Sequence, residues 1–141
     1  MKALFDKEVG DGTMGFWVFM LISNLLIPLL MIGLGRWMWK SPPKNINDIL
    51  GYRTTMSKKN QDTWKFAHDY CGRLWWKVGW IMLPLSIVLM LPVLRKTTNA
   101  IGNWGGILCL IQCAILVGCI IPVEKALKKT FDKDGNRRDA P

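Results

Sequence analysis

The stretch GFWVFMLISNLLIPLLMIGLG, residues 15–35, carries no charged side chain over 21 positions. A helix rising 1.5 Å per residue needs about 20 such residues to cross some 30 Å of hydrocarbon, and within lipid each backbone N–H and C=O must be paired inside the segment. The run therefore reads as a transmembrane helix. It exceeds the apolar core of a signal peptide and ends in GRWMWK with no small-x-small cleavage pattern, so the segment is expected to be retained.

Working outward, residues 78–94 give a second run of 17 uncharged positions, preceded by Lys77, whose ammonium can snorkel to the interface. A third run, 97–123, is also uncharged, and Asn99, Gly102 and Asn103 place the start of its buried part near Trp104. The expected fold class is an all-α integral membrane protein of one domain, with spans at 15–38, 78–94 and 104–123, a loop at 39–77 and a tail at 124–141. Pro84 and Pro92 are expected to kink the second span.

The net charge of +9 is distributed by segment. Nine Lys/Arg fall in 36–77 and six after Val123, against two in the N-terminal segment and two in 95–103. With three crossings, one side gathers fifteen basic residues and the other four. The positive-inside rule then places the loop and C-terminus in the cytoplasm and the N-terminus outside. Trp17 and Trp104 fall at the outer ends of the spans, and Trp37, Trp39, Trp75, Trp76 and Trp80 at the inner ends, as interfacial aromatics should. This partitioning points to the bilayer and anionic lipid headgroups as partners, at about 1 kcal/mol per basic residue near the surface, and not to nucleic acid. Cys71, Cys109, Cys113 and Cys119 show no metal-finger spacing and read as small packing residues without disulfides.

The loop opens with SPPKNINDILG, residues 41–51, whose proline pair must end the first helix. Ile46, Ile49 and Leu50 at i, i+3 and i+4 predict one helical turn over NINDIL, closed by Gly51. From Ser57 onward, Trp64, Ala67, Cys71, Leu74, Trp75 and Val78 recur at helical spacing opposite Lys58, Asp62, Lys65, Asp69 and Arg73. That is an amphipathic cytoplasmic helix, capped by Ser57 or Asn60 and leading into the second span, with its aromatic face on the headgroups. Between the turn and this helix lies GYRTTMSKKN, residues 51–60. Thr54, Thr55 and Ser57 offer hydroxyls near a helix N-terminus, and Arg53 adds a planar fork of donors, a combination suited to a phosphate or carboxylate. The alternative is that Arg53 pairs with Asp48 or a helix carbonyl and only fixes the loop.

The pattern Pro43, Asn45, Gly51-Tyr52-Arg53-Thr54, Ser57, Asn60, Trp64 and Ala67, spread over about residues 42–80, resembles the SdpI family of bacterial membrane proteins. The resemblance implies a bacterial cell-membrane location and a role in immunity to a secreted membrane-active toxin peptide, coupled to holding a cytosolic regulator at the membrane. The member that gives the family its name has additional transmembrane helices, whereas three are expected here.

Chemistry has little else to work with. His68 and Cys71 supply only two metal ligands on one helical face, short of the three or four a zinc site takes, so no metal or cofactor is expected. No catalytic motif occurs, and an enzymatic role has no positive signal. Ser23, Asn24, Ser86 and Gln112 are the polar residues within the spans; none is ionisable, and interhelical hydrogen bonding is their expected role. Gly102 and Gly106 have the small-xxx-small spacing that permits a homo-oligomer. The tail, with little apolar content, is expected to be solvated.

Two functional readings follow. In the first, the protein confers or senses resistance to a toxin peptide: Arg53 contacts an anion or partner, Tyr52 and Trp64 pack beside it, Thr54 and Ser57 lend hydroxyls, and Asn45 and Asn60 hold the loop on the helix. In the second, the same loop serves a lipid or amphiphile carrier or enzyme with His68 as acid or base. A purely structural scaffold is the third and plainest alternative.

Overall fold

The computed structural model describes residues 1–138. Among them the elements are α1 (Lys2–Lys40), α2 (Gln61–Met90), a 3-10 turn (Leu91–Val93), α3 (Thr98–Gly118) and α4 (Ile120–Thr130). Three helical stretches, Lys2–Lys40, Gln61–Val93 and Thr98–Thr130, are each long and apolar enough to cross a membrane. The all-α class with three spanning helices is therefore the observed one.

Helix ends follow local chemistry. α1 begins at Lys2, well before the first uncharged run, and its 39 residues amount to about 58 Å at 1.5 Å each. It stops at Lys40, where Ser41 N–H closes on the Trp37 carbonyl and Pro42 and Pro43 can donate nothing further. Asn60 is the N-cap of α2: its Oδ1 accepts from the N–H groups of Asp62 and Thr63, while Thr63 Oγ1 accepts from Asn60 N–H. From there α2 continues through Pro84 to Met90. Pro92 does not kink the span; it sits in the 3-10 turn where the helix ends. α3 and α4 form one rod interrupted at Cys119, because Pro122 lacks the N–H that would bond the Gly118 carbonyl.

α1 packs most extensively on α2, and α3 lies chiefly on α1. The α1/α2 contact is made by backbone. A Cβ on Gly72 would stand 2.6 Å from both the Gly35 carbonyl oxygen and Trp39 N, and one on Gly35 would stand 2.7 Å from Trp76 N. Two turns along, a Cβ on Gly79 would meet Ile32 Cγ1 at 2.8 Å and the Pro28 carbonyl oxygen at 2.9 Å. Association in lipid lacks a hydrophobic drive between helices and depends on such close approach.

Polar groups inside the bundle tie the third helix to the other two. Asn24 Nδ2 donates to the carbonyls of Met20 (2.9 Å) and Gly105 (3.2 Å). Gln112 Nε2 donates to Ser86 Oγ at 2.7 Å, and Ser86 Oγ to the Met82 carbonyl. At the end away from the loop, Trp17 and Trp104 donate their indole N–H groups to the carbonyls of Met90 and Leu89, at the last turn of α2. Outward faces are apolar and exposed, as in Phe19, Ile22 and Leu26 of α1, Ile81 and Val88 of α2, and Leu110 and Val117 of α3. Of the glycines around Trp104, Gly105 makes the close approach, to Met20 Cε; Gly106 meets nothing within 4 Å. The small-residue contact is thus internal and shifted by one position from the Gly102/Gly106 pair.

The glycine seam makes a test. Gly72→Val should lower the melting temperature of the detergent-solubilised protein, at an overpacking cost of about 1–3 kcal/mol. Gly106→Ala should be neutral or raise it slightly, since the site is open and alanine is the better helix former by up to about 1 kcal/mol. Thermal unfolding followed by circular dichroism reads both.

Candidate functional site

The loop 41–60 folds over the first turns of α2 and forms a polar joint at the basic end of the bundle. Its start is not the helical turn that the spacing of Ile46, Ile49 and Leu50 predicts. Asn47 Oδ1 accepts from the N–H groups of Ile49 (2.9 Å) and Leu50 (2.7 Å), capturing donors that a helical turn would direct to carbonyls. Ile49 and Leu50 are left 79% and 55% exposed. Gly51 follows with φ +90°, a conformation that disfavours any side chain.

His68 lies under Gly51 and is fully buried. Its Nε2 accepts from Tyr52 N–H at 3.1 Å, so Nδ1 carries the proton and donates to the Trp64 carbonyl at 2.8 Å. A Cβ on Gly51 would stand 2.1 Å from Nε2. Glycine is therefore required here twice over, by backbone angle and by space. Trp64 packs on the imidazole with ring centroids 4.3 Å apart and donates its indole N–H to the Pro43 carbonyl at 2.7 Å. Its aromatic face thus meets the loop, where the sequence suggested headgroups; Trp64 is fully buried.

Beyond His68 the joint closes on an acid that the sequence reading passed over. Tyr52 Oη and Thr54 Oγ1 both donate to Glu124 Oε1, at 2.7 and 2.6 Å. Glu124 is the first charged residue after the third uncharged run, and that position is the signal that could have found it. Burial and the Glu124 carboxylate both hold the Tyr52 phenol far above its ordinary value, so Tyr52 remains a donor. Ser57 is fully buried; its hydroxyl accepts from Thr54 N–H at 2.8 Å and faces the carbonyls of Tyr52 and Thr54. The hydroxyls of Thr54 and Ser57 are thus spent within the joint, and the Asp62 and Thr63 N–H groups at the start of α2 are taken by Asn60. These groups do not form the anion site their spacing suggested.

The tail completes the joint instead of standing in solvent. Phe131 is fully buried and packs edge-on against Phe66. A turn then brings Arg137 back beside it, where its guanidinium forks onto Asp62 with Nε–Oδ2 of 2.7 Å and Nη2–Oδ1 of 2.9 Å. Asn60 Nδ2 donates to the Gly135 carbonyl at 2.7 Å. A tail poor in apolar residues is docked here by one buried ring and a few directed polar contacts. Asp139, Ala140 and Pro141 lie outside the described residues.

Two of the expected site residues stand apart from this cluster. Arg53 is exposed and donates through Nη1 to the Asp48 carbonyl, while Lys58 pairs with the Asp48 carboxylate at 2.5 Å. Asn45 is exposed too, and among the described residues only its carbonyl is engaged, by Asn47 Nδ2. Tyr52, Thr54, Ser57, Asn60, Trp64 and His68 are gathered in one joint; Arg53 lies at its rim. A groove of about 500 Å³ runs from Arg53 and Leu50 to Leu34, Met38 and Trp75. A second, of about 580 Å³, lies between Thr54, Lys59, Glu124, Lys128 and Arg138.

The joint predicts a pH dependence. Burial holds the His68 pKa below its ordinary value, opposed only in part by the bond to Trp64. The unfolded chain takes up this proton near pH 6.5, so stability conferred by neutral His68 is full above that pH and is lost as pH falls from there through the lower folded value. Asp62, held low by Arg137, adds a separate loss below about pH 3.9. Melting temperature measured from about pH 8 down to pH 5 should fall in wild type, and the slope should flatten in His68→Gln, which is less stable throughout.

Comparison with known proteins places this geometry. The model of the SdpI/YfhL protein family matches residues 44–123, which takes in most of the loop, His68 and the apolar runs of the second and third spans, and stops one residue before Glu124. The protein named "Uncharacterized protein YfhL" of Bacillus subtilis (strain 168) is 28% identical over 123 residues, covering 84% of this chain and 88% of the relative. No solved structure matches. With the family match spanning more than half of the sequence, the chain belongs to the SdpI/YfhL protein family.

Proposed function

We propose that this membrane protein confers, or senses and reports, resistance to a membrane-active toxin peptide, and that its basic joint engages an anion or a protein partner. Family membership supports the resistance role, as the SdpI resemblance implies. The observation that carries the interaction role is how the joint's polar groups are used. His68 is buried with both ring nitrogens engaged, and Glu124 Oε1 accepts two hydroxyls. Among the exposed side chains at this end, cations such as Arg53, Lys59, Lys133 and Arg138 outnumber carboxylates such as Asp48 and Asp134. A cytosolic regulator with an acidic surface and anionic headgroups are the partners such a surface suits.

The orientation proposed has the joint and C-terminus in the cytoplasm and the N-terminus outside, in a bacterial cell membrane. Fifteen of nineteen basic residues at the joint's end support it. A second reading, a carrier for a small amphiphile, is favoured by the groove that joins Arg53 to Leu34 and Met38. His68 is not in the wall of that groove, so its use as acid or base gains no support.

Bacterial cells with and without the chain, challenged with a membrane-depolarising peptide and monitored by a potential-sensitive dye, test the proposal. Cells making the protein should hold their potential at peptide doses that depolarise the control. Equal depolarisation in both sinks the resistance role. Arg53→Ala should abolish protection at unchanged protein level; loss of the protein itself would assign Arg53 to holding the loop.

A further inference from the structure

The groove at the joint's rim has the chemistry of an amphiphile from end to end. One end is apolar and built from the helices: Leu34 and Met38 of α1, Trp75 of α2 and Ile120 of α4. Leu34 and Ile120 are 43% and 40% exposed and belong to the uncharged runs, so this end is continuous with the lipid-facing surface. The other end is polar and built from the loop, with Arg53 at its edge beside the Lys58–Asp48 ion pair, so the net charge there is positive and is carried by Arg53. A volume of about 500 Å³ lies within the usual range of about 300–1,000 Å³ for ligand sites.

Three further observations say what fills it. Among the described residues, the Arg53 side chain makes one hydrogen bond, through Nη1 to the Asp48 carbonyl, which leaves the other guanidinium donors for an acceptor outside the chain. The Trp75 ring stands in the wall. Ile49 and Leu50, also in the wall, are the loop's most exposed aliphatic side chains and are held out by the Asn47 turn. A planar cationic fork suits a phosphate, an aromatic ring in the wall suits the glycerol region, and projecting aliphatic residues suit acyl chains.

We propose that this groove holds one anionic phospholipid from the leaflet at the joint's end. Its phosphate lies on Arg53 beside Lys58, its glycerol-ester region lies against Trp75, and its chains run along Leu34 and Ile120. A soluble acidic peptide would leave the apolar end unfilled, and a zwitterionic lipid would bring a second cation to Arg53. The assignment does not depend on peptide resistance and stands or falls in the absence of any toxin.

Native mass spectrometry of the full chain in mild detergent reads the site directly, with phosphatidylglycerol and phosphatidylcholine of identical chains as probes. The expected result is one retained phosphatidylglycerol per chain at concentrations where phosphatidylcholine is lost. Arg53→Ala should weaken retention roughly tenfold or more, the usual worth of a charge-assisted bond. Lys44→Ala, which removes an exposed charge from the same loop outside the groove, should retain lipid as wild type does. Leu34→Trp, which fills the apolar end and keeps every charge, should also lose the lipid; it decides the matter alone if Arg53→Ala does not fold. Equal retention of the two lipids, equal losses in Lys44→Ala and Arg53→Ala, or unchanged binding in Leu34→Trp would each overturn the site. Displacement by an equal concentration of glycerol phosphate would assign it to a free anion.

Discussion

The backbone contact of α1 with α2 at Gly35, Gly72 and Gly79 is the constraint on which the rest of the structure depends. At Gly35 and Gly72 there is no room for a methyl group on either side, so the two helices are set at one separation and one register. Both ends of the loop 41–60 are thereby fixed. A chain leaving α1 at Ser41 and entering α2 at Asn60 must double back over a narrow pair of rods, and it does so by lying along the first turns of α2. The aromatic stripe that begins with Trp64 is covered by this return path, with the Pro43 carbonyl receiving the Trp64 indole.

Covering a helix face with irregular backbone leaves polar groups out of water, and each must find a partner. His68, Ser57 and Thr63 are buried and serve as those partners. His68 takes the Tyr52 N–H, Ser57 takes the Thr54 N–H, and Thr63 takes the Asn60 N–H. Residues of a type that suggests acid-base or anion chemistry are thus used to complete a fold. Glu124 and the tail belong to the same closure, tying the end of the third rod and the C-terminal turn to the joint.

Within this frame the groove beside Arg53 differs from the joint proper. The joint satisfies its own polar groups internally. The groove keeps an open guanidinium and exposed aliphatic side chains in one place. That contrast separates the groups that hold the loop from those that face outward, although Tyr52 and Arg53, one of each kind, are neighbours in the chain.

The three spans, the helix stop at Pro42, a cap at Ser57 or Asn60, and Asn24, Ser86 and Gln112 as polar ties within the bundle were legible because each reflects a free energy belonging to one residue or one turn: transfer into lipid, a missing N–H, a side chain reaching two or three positions along; Ser23, expected beside them, bonds only to the Phe19 carbonyl of its own helix among the described residues. The gathering of Tyr52, Thr54, Ser57 and His68 near the start of α2 was legible too, since sequence distance alone keeps them close. What tertiary structure decided was pairing. Glu124 stands 72 residues from the phenol it accepts. Arg137 and Asp62 lie 75 apart, and Gly35 and Gly72 look like any other glycines until two backbones cross. Hydropathy and charge are summed residue by residue along a chain, whereas a contact needs both partners' positions, and only the packed bundle supplies those.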